Sequence, residues 1–359
     1  MIAVIILGIL SVFFAFLAQK KKLRFGLKVS FLLIFTFLAL RYNYGSDYMT
    51  YYKDFFVINS YPSINFFDKS FHYEAGWLFL CRVFSPFGFF SLVIVLAAFN
   101  CIVYYWFIKK YVPTKYYWLA VFLYVFTPGF MLVQASAMRQ SIAIALFLIS
   151  VPYIFKKKPI HYFVLIGIAY LFHASALILI PIYFIGIFNW KINTKMGFVI
   201  FLLFLFLFTY GNLLLTQFNN LLSLYFQQYE TYSGTGADIN SGLGVIFLSI
   251  IMIFLIFYSH FQNKEVDILF KLAILGFMFI PAGLQISMFS RIGMYFTPVT
   301  IAVYPSVVMK INKILLKRLF SFFIILFTLY TFIMFLTTGV FAEGFKSYQT
   351  IFSAPPVSN

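Results

Sequence analysis

The chain has 359 residues, of which 63% are hydrophobic, 23% aromatic and 10% charged. Carried in repeated apolar runs near the roughly 20 residues that cross a bilayer core, this composition excludes a soluble domain and defines a polytopic membrane protein. The net charge of +17 gives no case for a nucleic-acid partner, because Lys and Arg fall mainly in short segments between apolar runs, where they set membrane orientation.

The first apolar run, Met1 to Gln19, has no basic start, and its charges follow it as Lys20, Lys21, Lys22 and Arg24. It reads as a retained membrane helix and not as a cleaved signal peptide. Full crossings are predicted near 2–19, 25–41, 88–108, 115–130, 133–155, 197–215, 242–259, 267–286, 290–309 and 319–341, about 10 in all. No repeat of fixed period, low-complexity tract or linker divides them, so residues 1–359 read as a single all-α transmembrane domain. The intervals 42–76 and 216–241 read as its external loops. A short interfacial helix is expected over 71–86, ended by Pro86. Cys81 and Cys101 lie about 30 Å apart if one continuous helix carries both, which predicts no internal disulfide.

The segment 160–186 is too long for one crossing, about 40 Å as a single helix, and has His173 at its middle. If it crosses once, the basic stretch Lys310, Lys313, Lys317 and Arg318 lands outside. If it enters and leaves on one side as a helical hairpin, that stretch joins Lys109, Lys110, Lys156 to Lys158, Lys191 and Lys195 inside. The positive-inside rule favours the hairpin. Its tip is then expected to border a cavity, because non-helical backbone at depth needs protein or water around it.

Chemistry is expected in the interval 42–76. It carries four of the nine acidic residues, Asp47, Asp54, Asp68 and Glu74, and it follows directly on Arg41, at the end of the second apolar run. Arg41, Arg139 and Arg291 lie at or inside membrane boundaries, where an arginine is costly and usually faces the bundle interior with a counter-ion. They are candidates for gripping a phosphate or pyrophosphate through paired donors; more plainly, Arg41 is an interfacial anchor, Arg139 a structural ion pair or a snorkelling group, and Arg291 a side chain snorkelling to headgroups. Asp47 and Glu74 are candidate bases or sugar ligands, or else solvated loop carboxylates. His173 is a candidate acid, base or hydrogen-bond donor, or a packing residue. Tyr42, Tyr44, Tyr48, Tyr51 and Tyr52 offer platforms for sugar faces or form an aromatic belt. Gln140 flanks Arg139 as a further polar candidate.

Other signals are weak. Asp68, His72 and Glu74 match no strong metal signature, and Gly234-Thr-Gly lacks the third glycine and preceding strand of a dinucleotide site. Glu265 and Asp267 superficially resemble a metal-binding acidic pair but suit the first turn of a helix better.

Five short motifs stand in order: Arg41-Tyr-Asn-Tyr-Gly-Ser-Asp-Tyr, Glu74-Ala-Gly-Trp, Met138-Arg-Gln-Ser-Ile-Ala, Leu171-Phe-His-Ala-Ser-Ala and Arg291-Ile-Gly-Met-Tyr-Phe. In order and spacing this series resembles the EpsG-like branch of Wzy-type polysaccharide polymerases, over roughly residues 35–300. The resemblance implies a glycosyltransferase of the bacterial cytoplasmic membrane with a GT-C-like architecture and its active site facing outside. It would join oligosaccharide repeat units carried on undecaprenyl pyrophosphate, as donor and acceptor, into O-antigen, capsule or exopolysaccharide. A chain-length regulator is a possible protein partner.

In that reading Arg139 and Arg291 stabilise the leaving pyrophosphate, which makes a metal or other cofactor unnecessary. Arg41 binds substrate or pairs with a carboxylate, and Asp47, Glu74 and His173 share acceptor activation and sugar binding. Tyr44, Tyr48, Tyr51, Tyr52 and Gln140 complete the substrate-binding set. A flippase for lipid-linked oligosaccharide and a membrane O-acyltransferase are the alternatives. The first lacks paired inverted halves with matching broken segments, and the second needs an acyl donor that the arginine set does not suggest.

Overall fold

The computed structural model describes residues 1–19, 23–63, 65–66, 72–187, 191–225, 242–258, 261, 263–285, 287–338 and 341–353. Among them helices dominate, and the chain divides into two compact units, Met1–Tyr183 with the C-terminal stretch from Phe332, and Phe184–Thr331.

In the first unit, α1 (Ile2–Gln19) packs on α2 (Gly26–Ala39) and on α6 (Tyr117–Phe126), while α2 packs on α5 (Phe89–Tyr111) and α5 on α8 (Met138–Phe155). Small residues allow close approach, as where Ser30 Oγ donates to the carbonyl of Ser11 across the α1–α2 contact at 2.6 Å. Between α2 and α5 lie α3 (Tyr48–Ser60) and α4 (Ala75–Val83). The interval read as loop therefore contains a 13-residue helix. Its buried residues Tyr48, Tyr51, Phe55 and Ile58 recur at helical spacing, and that aromatic stripe is what holds it against the bundle. The helix expected over 71–86 is present as α4, followed by a 3-10 turn containing Pro86.

The span expected over 115–130 ends early, at Phe126, because Pro128 and Gly129 follow. The next, expected over 133–155, is broken at Ala137 into α7 (Met131–Ser136) and α8. The segment 160–186 divides at residues 171–173 into α9 (Pro159–Tyr170) and a 3-10 helix, Ala174–Gly186. Tyr162 OH donates to the carbonyl of Leu179 at 2.7 Å, and the Tyr162 ring faces that of Tyr183 at 5.3 Å. The second arm thus runs back along the first, with His173 at the tip of the turn. Pro181 lies inside the second arm.

The C-terminal stretch straps the first unit. Strand β1 (Arg41–Tyr42) pairs antiparallel with β2 (Gln349–Thr350), Arg41 opposite Thr350. Tyr348 stacks on Phe37 at 4.2 Å, and its hydroxyl donates to the Phe37 carbonyl at 2.7 Å.

The second unit contains α10 (Thr194–Tyr225), α11 (Gly242–Phe257), α12 (Lys264–Gln285), α13 (Ser287–Phe296) and α14 (Thr300–Lys310), together with most of α15 (Ile314–Thr337). Helix α12 packs against α10, α13 and α14. Asp267 pairs with Lys271 one turn later at 2.8 Å, so this acid serves the start of its own helix. Helix α10 continues to Tyr225, well into the expected loop 216–241, of which 226–241 lie outside the described residues.

Six helices are long and apolar enough to cross a membrane among the described residues: Ile2–Gln19, Phe89–Tyr111, Met138–Phe155, Lys264–Gly283, Phe289–Lys310 and Ile314–Thr337. The shorter apolar helices include Gly26–Ala39 and Leu243–Phe257, where full crossings were expected. Helices Gly26–Ala39 and Gly242–Phe257 lie within the expected 25–41 and 242–259. Cys81 on α4 and Cys101 on α5 are both free and buried, and no continuous helix carries the two.

Candidate active site

The cluster is built in the first unit and begins at a sharp turn after β1. Asn43 and Gly45 both have positive φ, 45° and 127°. A Cβ on Gly45 would lie 2.9 Å from the carbonyl oxygen of Ala135, so the approach of this turn to α7 requires glycine. Gly45 N also donates to the strap at Gly344, at 2.8 Å. The approach sets Ser46 and Asp47 on Ser136: the two serine hydroxyls share a hydrogen bond, and Asp47 N donates to Ser136 Oγ at 3.2 Å. The Asp47 side chain is exposed and makes no helix-capping bond.

From that turn α3 carries Tyr51 and Asp54 on the face begun by Asp47, spaced four and three residues apart. Arg139, at the start of α8, reaches this face. Its Nε donates to Tyr51 OH at 3.4 Å, and its Nη1 forms an ion pair with Glu74. The guanidinium lies 4.6 Å from the Tyr73 ring centre and 6.0 Å from that of Tyr51, within range of cation–π attraction. Tyr73 OH donates to the Asp54 carboxylate. Burial and then this hydrogen bond push the Tyr73 phenol far above its ordinary value, so it stays a donor.

Glu74 occupies the position before α4 but does not cap it. One of its oxygens takes Arg139, and the other accepts the backbone N–H of Ala174 at the hairpin tip, at 3.1 Å. Two residues on, Gly76 N donates to the Leu171 carbonyl at 2.7 Å. A Cβ there would stand 2.6 Å from the same oxygen. Glu74-Ala-Gly is therefore a clasp that fastens the hairpin tip to the arginine. At the tip, His173 Nδ1 shares a hydrogen bond with Ser175 Oγ at 2.7 Å.

The expected residues divide by environment. Arg139, Glu74 and Tyr51 meet directly, Asp47 stands on the same helix face, and His173 adjoins the Glu74 contact. Tyr52 is half-buried and packs edge-on against Tyr42 and Phe89. Tyr44 and Tyr48 are fully buried, the first among Phe37, Phe345 and Tyr348, the second with its hydroxyl donating to the Arg41 carbonyl at 3.0 Å. Gln140 is buried beside partly exposed Arg139. Arg41 is buried, and among the described residues it makes no ion pair with a carboxylate. Arg291 belongs to the second unit, exposed on α13.

No group of three or more His, Cys, Asp or Glu placed to hold a metal occurs among the described residues. Asp68, one of the possible cation ligands, lies outside them. Asp54, Tyr73 and Ser136 were missed as members of the cluster. The signal for Asp54 was its spacing from Asp47 and Tyr51, visible only once 48–60 is recognised as helix.

A guanidinium is braced on one side by a carboxylate, flanked by two phenol rings, and left 21% exposed. Its Nη2 has no protein acceptor among the described residues. Fold and site together define a helical membrane protein with a braced arginine held against an aromatic, carboxylate-bearing helix. The chain belongs to the EpsG family, whose pattern it matches over residues 25–350. No curated protein and no solved structure gives a significant match.

Proposed function

We propose that this EpsG-family protein is a glycosyltransferase that polymerises oligosaccharide repeat units carried on undecaprenyl pyrophosphate, on the outer face of the bacterial cytoplasmic membrane. The observation that carries the reading is Arg139. It has a fixed carboxylate partner, a partly exposed guanidinium and an uncommitted Nη2, which suits a group that meets an oxyanion from outside the protein.

In the reaction an acceptor hydroxyl attacks the anomeric carbon of the donor glycan. The bond to the lipid pyrophosphate breaks, the acceptor proton passes to a base, and negative charge grows on the leaving phosphate. Arg139 stabilises that charge. Glu74 is already committed to Arg139 and to the hairpin tip, so its role is to position them. Proton removal is assigned to Asp47, which has an exposed side chain, or His173 at the tip. Tyr51 is buried against Trp77 and the arginine, so contact with a sugar ring is assigned to half-buried Tyr73. A GT-C-like arrangement of the bundle, an O-antigen, capsule or exopolysaccharide product and a chain-length regulator as partner belong to the same reading.

The test separates polymerase from flippase. Cells lacking the protein should lose long glycan and accumulate single lipid-linked repeats at the outer face. Accumulation of repeats at the inner face instead would reject polymerisation.

A further inference from the structure

The first unit holds a small, partly open cavity with about 10 Å³ of room, on the order of one water-sized particle. Its wall includes Leu38, Arg41, Asn100, Gln134, Met138 and Ser141. Arg41 is 3% exposed. Its Nη1 donates to the Leu38 carbonyl and its Nη2 weakly to that of Ala135 at 3.4 Å, whereas Nε has no acceptor. Gln134 Nε2, also buried, has none either. The Asn100 amide is already spent on the Leu96 carbonyl and Ser141 Oγ, at 3.0 and 3.2 Å.

Two buried donors without acceptors thus border one small space, and one of them carries a full positive charge. Among the described residues that guanidinium meets two neutral carbonyls and, at 5.7 Å, the Tyr48 ring, and no Asp or Glu pairs with it. A buried charge without a counter-charge is among the costliest arrangements a protein can hold. A water would satisfy the donors and, through the unpartnered Oδ1 of Asn100, its own proton, but would leave the charge. A phosphate or sulfate is too large for the space. We propose that Arg41 and Gln134 hold one buried monovalent anion of the chloride class. Because Arg41 grips Ala135, the anion supports the break between α7 and α8 from which Arg139 emerges.

The site stands independently of the polymerase reading, and its test needs no activity. Full-length protein purified in detergent is melted in sodium chloride, sodium bromide and sodium gluconate at equal sodium. The midpoint should rise saturably by about 3 °C or more with either halide and not with gluconate. Gln134→Glu places a carboxylate at the cavity wall, so this variant should lose the halide response while keeping its midpoint in gluconate. In bromide-soaked crystals of the unaltered protein an anomalous peak is expected within hydrogen-bond distance of Arg41 Nε. A midpoint indifferent to halide overturns the proposal, as does an equal response in Gln134→Glu. So does a density at the cavity with no bromide signal, which would make the occupant a water. If Gln134→Glu does not fold, the halide titration and the bromide peak decide alone.

Discussion

Arg139 gains its chemical character from neighbours supplied by distant parts of the sequence. Glu74 balances its charge, Tyr51 accepts its Nε–H, and Tyr73 covers its face. Lysine can occupy the position as a point charge but cannot make the Nε and Nη contacts together. Arg139→Lys should therefore lower polymer by about a hundredfold, the scale of losing one preorganised donor to a developing anion, while the protein still accumulates in membranes. Polymer within a few-fold of normal would make Arg139 an anchor. With both side chains about a fifth exposed, the pair with Glu74 should contribute roughly 1–3 kcal/mol, between surface and buried limits. Glu74→Gln combined with Arg139→Lys should then cost no more polymer than the worse single change, because both remove one interaction. Full additivity would show that the two act separately. Asp47→Asn and His173→Gln keep shape while removing proton-transfer capacity, and at least one should lose about a hundredfold in rate at normal protein level.

At the scale of elements, the hairpin is held by backbone proximity more than by side chains. Gly76→Ala places a methyl against the Leu171 carbonyl at 2.6 Å, and backbone on both sides leaves little room to yield. It should displace the tip and cut polymer at least tenfold. Gly167→Ala, on the hairpin's own first arm, meets nothing within 4 Å and should be silent or stabilising by up to about 1 kcal/mol. Equal behaviour of the two, measured as polymer and as thermal midpoint, would remove the clasp from the account. Parts of this layer were legible in the sequence. The break at His173 followed from a stretch too long for one crossing, and Glu74, Arg139 and His173 stood out as polar groups in apolar surroundings. Helix α3 was not legible, because Tyr-rich, polar sequence with low apolar content resembles an external loop until its stripe of Tyr48, Tyr51, Phe55 and Ile58 is matched to a partner surface. With α3 unread, Asp54 and the Tyr73 bond to it were invisible. Strap pairing between Arg41 and Thr350 was equally hidden, since two-residue strands leave no periodic signal.

For the whole molecule, the distribution of charge predicts orientation. In a variant without Cys81 and Cys101, single cysteines at Lys157 or Lys313 should be shielded from a membrane-impermeant thiol reagent in intact cells, whereas one at Phe352, exposed on the strap, should react. Labelling at Lys313 but not at Phe352 would invert the protein and move the Arg139 cluster away from an outside-facing lipid-linked substrate. Purified protein in lipid, given only its lipid-linked repeat unit, should convert single repeats into a ladder of longer lipid-linked glycans without any nucleotide sugar and in the presence of a chelator, and Arg139→Lys should leave the repeats unjoined. A requirement for nucleotide sugar, or movement of repeats across the bilayer without lengthening, would contradict polymerisation.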